Sequence, residues 1–389
     1  MDYLFENQHR RLRQVSMGFT RYMYSRINWN GRMVGIVGPR GVGKTTLMLQ
    51  YMKKELDPQR ALYISADQTY FSQHSILEVA DRFYKMNGKH LLVDEVHRYP
   101  HWSAELKEIY DSYSDLQVIF SGSSVLDIYR GSADLSRRAV MYEMQGLSFR
   151  EYLQLFHGIG VPSYTLDEVL LGKAEVVGVE HPLPLLHDYL QRGYYPFGQD
   201  PDFGNILQQV VTQTMENDIP QFAGMNVSAG YRLKRLMMTV AESVPFKPQM
   251  TALAAATGIS RNDIPDYLYY MQRAGMVAGL KDGTAGLRGL SKIEKLYLDN
   301  TNLAYALAER DPNVGNLRET FFYNQTRVGY AVVSSRIADF EIDGRTFEIG
   351  GKSKGKKQIA SASEGYVVKD DIEYGYGNVI PLWAFGLLY

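Results

Sequence analysis

Two short runs carry residue types that do phosphate chemistry. Residues 38–46 read GPRGVGKTT, and residues 90–95 read HLLVDE. The first matches GxxxxGK[ST], with an apolar stretch at 33–37 before it and a helix expected over 44–56 after it. Glycines at 38, 41 and 43 let the backbone wrap phosphates with no Cβ in the way. The loop amides and the helix N-terminus then face the anion. The cradle is expected to consist of Gly38, Pro39, Arg40, Gly41, Val42, Gly43, Lys44, Thr45 and Thr46. Lys44 is expected to reach the β- and γ-phosphates of ATP, and the Thr45 hydroxyl to ligate Mg²⁺. The second run is an apolar strand that ends in two acids, about fifty residues after the first. Asp94 is expected to hold Mg²⁺ through water and Glu95 to polarise the attacking water. Glu95 is what argues for hydrolysis rather than binding alone.

Two further candidates follow. FSGSS at 120–124 ends another strand, so Ser121 or Ser123 can meet the γ-phosphate or the attacking water. SRRA at 136–139 places Arg137 and Arg138 as candidates for an arginine finger acting in a neighbouring subunit's site. The alternative for these arginines is a surface ion pair. The finger reading alone suggests a homo-oligomer.

The elements that must position these residues alternate in type. Strands are expected at 33–37, 61–65, 90–94, 116–121 and 139–144, and helices at 44–56, 75–86 and 103–113. A further helix is expected at 5–24, carrying Arg10, Arg11 and Arg13. Short apolar strands alternating with helices imply a parallel sheet covered on both faces. After Leu147 the pattern becomes mainly helical to about residue 243 and turns to strands, rich in Gly and Tyr, over 291–389.

Bulk properties narrow the class. A chain of 389 residues suggests two or three domains. Its formal net charge of -1 draws it to no nucleic acid as a whole, so any such contact needs a local basic patch. There are no cysteines, which excludes disulfides and Cys-ligated zinc or iron–sulfur sites. No apolar run approaches the ~20 residues needed to span a bilayer, and the N-terminus lacks a secretory pattern. The expected setting is cytoplasmic, with no membrane partner.

The run GPRGVGKTT, then LLVDEVHRYPHWSAELKEIYD, QVIFSGSS and SADLSRRAVMYEMQGLSFREYL resembles the AAA-type ATPases of bacteria and archaea that carry a C-terminal domain of unknown function. The resemblance covers nearly the whole chain and is strongest over 33–153. It implies an α/β architecture: a P-loop AAA-type parallel-sheet core at 1–150, a helical lid region at 151–243, a winged-helix-like unit at 244–290 and an α+β domain similar to PD-(D/E)xK nucleases at 291–389.

QMTALAAATGIS at 249–260 has helix-turn-helix spacing. Its second helix is expected to start between Ser260 and Asp263, with Leu268, Met271 and Ala274 on one face. DNA contact and plain packing or protein contact both remain open. Asp263 and Asp266 beside Arg261 and Arg273 are less basic than a groove reader wants.

RIADFEIDGRTFEIGGK at 336–352 reads as a hairpin turning at Asp343-Gly344. Ile342 then pairs with Arg345, Phe340 with Phe347, and Asp339 lies opposite Glu348, with Cβ atoms roughly 5 Å apart. Ala338, Phe340, Ile342, Phe347 and Ile349 are expected to face the core. Facing carboxylates are unfavourable without a cation, and a divalent metal is one reason to keep them. By the nuclease resemblance Asp339 and Glu348 are metal ligands and Glu319 a third acid. Gly350 stands where that pattern wants lysine, and Lys352 lies one repeat along on the same face. An active nuclease, an inactive relative that binds DNA or protein, and a purely structural hairpin remain alternatives. KSKGKK at 352–357 is either a phosphate contact or a solvated turn. The expected function is Mg²⁺-dependent ATP binding and hydrolysis driving a switch coupled to the C-terminal domain. The alternative is an ATP-dependent regulator that recruits a protein.

Overall fold

Five apolar strands build the first sheet: β1 (Met33–Val37), β2 (Ala61–Ser65), β3 (His90–Asp94), β4 (Gln117–Gly122) and β5 (Val140–Glu143). They run parallel in the order β2-β3-β4-β1-β5. Helices α1 (Asp2–Gln14), α2 (Met23–Arg26), α3 (Lys44–Glu55), α4 (Ile76–Lys85) and α5 (Trp102–Ser112) accompany them. α4 starts cleanly because Ser75 and Glu78 form a reciprocal capping box. The coordinates come from a computed structural model that describes residues 1–122, 135–243, 245–283, 293–308 and 311–389, without the side chains of 222 and 227.

The helix expected over 5–24 is broken. α1 stops at Gln14, and Val15 is extended at φ -71°, ψ 119°. The Ser16 hydroxyl then accepts from the Gly18 amide, a local turn that competes with helix. What remains of α1 protects the sheet edge. Gln8, fully buried, donates through Nε2 to the Ala61 carbonyl and accepts from the Tyr63 amide (2.7 Å). Those are the edge groups of β2, which would otherwise lie open to strand pairing.

The chain divides into two compact units, Met1–Gly146 and Leu147–Tyr389. The second unit begins with helices α6 (Phe149–His157), α7 (Leu166–Leu170), α8 (Leu183–Asp188), α9 (Phe203–Gln213), α10 (Ile219–Ala223) and α11 (Val227–Ser243). α12 (Met250–Thr257) and α13 (Ile264–Arg273) follow, then α14 (Thr301–Leu307) and α15 (Val314–Thr326). Its strands are β6 (Val277–Asp282), β7 (Ile293–Leu298), β8 (Val332–Ser334), β9 (Phe340–Ile342), β10 (Arg345–Gly350), β11 (Gly365–Lys369) and β12 (Val379–Pro381). They form one mixed sheet in the order β12-β11-β10-β9-β8-β6-β7. β6 therefore shares a sheet with the C-terminal strands, and the boundary expected near 290 falls between two paired strands. α15 packs on this sheet through Phe322, whose ring lies 5.0 Å from Phe340, 5.4 Å from Phe347 and 4.8 Å from Phe385.

α12 ends at Gly258 in left-handed backbone (φ 71°), and α13 starts at Ile264, with Pro265 in its first turn. That start lies just past the expected window, because proline is accepted at the head of a helix and disfavours one begun earlier. Leu268, Met271 and Ala274 are buried, as their spacing predicts. Arg261, Asp263, Asp266 and Tyr269 are exposed, which leaves this face without net basic character. No helix among the described residues is long and apolar enough to cross a membrane.

Candidate functional site

β1 is buried along its whole length, so its C-terminal end is held by the sheet. At Gly38 (φ 152°) a Cβ would lie 2.1 Å from the Met144 carbonyl oxygen, and only glycine allows this approach. Gly41 (φ 82°) and Gly43 (φ 98°) take left-handed backbone, and α3 begins at Lys44. Its first turn carries no acidic side chain, so the amides and the positive end of the helix dipole are left for an anion. Pro39 and Val42 are buried, Arg40 and Thr45 half-buried, and Gly41 and Thr46 exposed.

Lys44 is buried, and its Nζ donates to the carbonyls of Gly38 (3.0 Å) and Pro39 (2.8 Å). Burial pulls its pKa down to about 8, while the charges of Glu95 and Asp94 work in the opposite direction. The lysine and the two acids are thus close enough to feel one another, although they come from segments fifty residues apart.

Asp94 ends β3 and is buried. Its Oδ2 accepts from the Tyr63 hydroxyl (2.8 Å), and its Oδ1 accepts from the Ser121 hydroxyl and from the Glu95 amide (3.1 Å). The sequence offers Ser121 or Ser123 to meet the γ-phosphate or the attacking water; here the Ser121 hydroxyl donates to Asp94, because β4 lies beside β3 and turns Ser121 inward. Ser123 lies outside the described residues. Glu95 sits in left-handed backbone at φ 52°, ψ 40°, a conformation that costs a non-glycine residue about 1 kcal/mol. Its carboxylate lies 3.4 Å from Nε2 of His97. Burial, reinforced by Arg98, Lys44 and Arg40, pushes the His97 pKa down to about 3. The ring is therefore neutral, and this contact is a polar one rather than an ion pair.

Arg138 donates from Nε (2.8 Å) and Nη2 (2.9 Å) to the Asp111 carboxylate of α5. That is the surface ion pair held as the alternative to a finger. Arg137 is exposed, whereas Arg138 is engaged by Asp111, which leaves Arg137 the more available of the two. Sequence reasoning missed Tyr63, His97 and Arg21. Tyr63 had a signal: it lies two residues before the end of β2, on the side that meets Asp94.

In the second unit the hairpin register is Ile342 with Arg345 and Phe340 with Phe347, turning at Asp343 (φ 51°) and Gly344 (φ 80°). Strand pairing stops at Phe340, so Ala338 leaves the expected face and packs against Ile359, Val367 and Val379. The cations on the acids are lysines. Lys295 on β7 reaches Asp339 (3.1 Å) and Glu319 (3.3 Å), and the Tyr297 hydroxyl donates to Glu319 (2.8 Å). Lys354 pairs with Glu348, whose Oε2 is buried with no hydrogen-bond partner. Burial raises the pKa of both Glu319 and Glu348. Lys352, the expected substitute for a lysine at 350, is exposed and uses its carbonyl to accept from Lys369 (2.9 Å). The lysine that arrives is Lys354, because its stem crosses Gly350: a Cβ there would lie 2.6 Å from Lys354 Cγ.

Asp339 and Glu348 thus stand near enough for the charge of Asp339 to act on Glu348, and each carries a lysine ammonium. Among the described residues the group with metal-ligand spacing is a different one, His187, Asp370 and Asp371, with ligand atoms within 4.8 Å of one another. Arg318 already donates to both of those aspartates (2.9 and 3.4 Å).

Comparison with known proteins bears on both units. Residues 30–153 match the family model described as AAA domain, and residues 183–314 match a domain of unknown function, DUF8612. The first unit has the fold of an AAA-type P-loop ATPase. An uncharacterized protein of Methanocaldococcus jannaschii is 30% identical over 198 residues, covering 46% of this chain and 41% of that protein. The chain thus spans less than half the length of that relative. A Walker-type ATPase of Pyrococcus abyssi aligns with 12% identity and a TM-score of 0.45, over 74% of this chain and 95% of that one. AMPPCP-bound DnaA of Aquifex aeolicus aligns with 12% identity and a TM-score of 0.27, over 69% and 86%.

Proposed function

We propose that the first unit binds ATP with Mg²⁺ and hydrolyses it, and that the nucleotide state acts as a switch on the second unit. One observation carries this reading: buried Lys44, at the head of α3, lies within electrostatic reach of Asp94 and Glu95 at the end of β3. The glycine backbone and bare helix terminus supply donors for the phosphates, and Lys44 leaves the Gly38 and Pro39 carbonyls to meet them. Thr45 and Asp94 would hold Mg²⁺, which neutralises phosphate charge when bound. Tyr63 and Ser121 fix the Asp94 carboxylate. Glu95 takes the proton of the attacking water, and neutral His97 steadies it without competing as a cation. Lys44→Ala is expected to abolish ATP binding. Glu95→Gln is expected to bind ATP but turn over about 10²- to 10⁴-fold more slowly. Normal hydrolysis by Glu95→Gln removes the mechanism.

An arginine finger acting between copies remains part of the proposal, with Arg137 and Arg138 as candidates. Arg137→Ala or Arg138→Ala chains that lose ATPase activity should regain some when mixed with Glu95→Gln chains. No recovery from either mixture argues for a chain that acts alone.

For the second unit the reading better supported is a regulator that contacts a protein or DNA without cutting it. Lys295 and Lys354 already meet the charges of Glu319, Asp339 and Glu348, and Gly350 replaces the lysine of a nuclease pattern. The other reading is a divalent metal held by Asp339 and Glu348, with cleavage of DNA. A Mn²⁺-dependent cleavage assay with Asp339→Ala as control decides: cleavage by the wild-type chain, lost in the variant, favours the nuclease.

A further inference from the structure

Arg21 is buried, only 5% exposed, in the segment between α1 and α2. Its guanidinium donates to three backbone carbonyls. Nη1 reaches Val42 in the phosphate loop, and Nη2 reaches Gln145 (2.8 Å) and Gly146 (2.7 Å). Gln145 and Gly146 are the last two residues of the first unit.

We infer that Arg21 is a positioning residue of the nucleotide site: it presets the phosphate loop and ties it to the segment by which the chain leaves this unit. This rests on the ATP reading above. The Val42 carbonyl and the Gly43 amide belong to one planar trans peptide, so they point in opposite directions. Holding the carbonyl on Arg21 turns the Gly43 N–H away from Arg21 and fixes the peptide that joins Val42 to left-handed Gly43, whose φ is otherwise free to rotate. A triphosphate thus meets an amide whose orientation is already set, and less conformational entropy is lost on binding.

Residues 144–146 are held at further points, by the end of β1, the first residue of the loop and the segment before α2. The Met144 amide donates to the Val37 carbonyl (2.7 Å), the Met144 carbonyl touches the Gly38 Cα region, and the Gln145 amide donates to the Tyr22 hydroxyl (3.5 Å). The Arg21 guanidinium also lies 5.7 Å from the Tyr22 ring. One rigid fork therefore spans both segments, and a shift of the 42–43 peptide moves 145–146 with it. A lysine keeps the charge but not the planar fork.

The test uses the full chain with ATP and Mg²⁺, read by equilibrium binding, steady-state kinetics and hydrogen exchange. In the wild-type chain, nucleotide is expected to slow amide exchange over 42–47 and over 143–146 together. In Arg21→Lys, affinity is expected to fall about tenfold, KM to rise while kcat is kept, and nucleotide to protect 42–47 only. Arg21→Lys with wild-type affinity overturns the inference. So does a wild-type chain in which ATP protects 42–47 and leaves 143–146 unchanged, a result that needs no variant. A wild-type chain that binds no ATP overturns the underlying nucleotide reading itself.

Discussion

Lys354 reaches Glu348 by laying its stem across the bare Cα of Gly350. The strand position that lacks a side chain is what lets a loop lysine enter. Gly350→Ala is therefore expected to expel Lys354 and leave a buried carboxylate without its cation, at a cost of about 1–3 kcal/mol. Lys354→Met should cost about as much, and the double variant little more than either, because both remove one contact. Urea unfolding of the three variants checks this. Additive losses would show that Gly350 and Lys354 act separately.

Lys44 gives a pH dependence. Its folded pKa of about 8 lies below the ordinary value of 10.5, so the unfolded chain binds more protons between these values. From this group, stability of the nucleotide-free chain rises with pH across that window. Phosphate needs the ammonium form, so ATP affinity should move the other way, weakening by up to about tenfold per pH unit above 8. Binding titrations from neutral pH upward test it. An affinity that stays flat across the window means that Lys44 does not contribute its charge.

Tyr63 and Ser121 are expected to matter through Asp94. Tyr63→Phe and Ser121→Ala each remove one donor to that carboxylate, worth about 1 kcal/mol. Magnesium-dependent ATP binding should weaken severalfold, with nucleotide binding in EDTA unchanged. Equal losses with and without magnesium would point to a general disturbance of the sheet instead.

Gln8 is a stability residue that touches the proposed site only through the backbone of Tyr63. Gln8→Leu leaves the Ala61 carbonyl and the Tyr63 amide of edge strand β2 unpaired, and should cost about 1–3 kcal/mol. The expected reading is a lower thermal midpoint with ATP affinity nearly intact.

Much of the first unit was legible from sequence because its signals are local. A buried strand, three glycines and a lysine within fourteen residues constrain the loop, and the apolar runs mark the strands almost to the residue. The hairpin register followed from Asp343-Gly344 for the same reason. What stayed hidden depends on contacts between distant segments. No pattern near Arg21 announces carbonyls more than one hundred residues away, and Ser121 can be assigned to Asp94 only once β4 is known to lie beside β3. Strand alternation points to Lys352 rather than Lys354 only if it continues past Gly350, where the strand ends.

The pairing of β6 with β7 reaches beyond architecture. β6 leaves directly from the α12–α13 pair, and its partner β7 carries Lys295, the ammonium shared by Glu319 and Asp339. The helix pair and the ammonium that neutralises Glu319 and Asp339 therefore hang on one two-stranded ribbon.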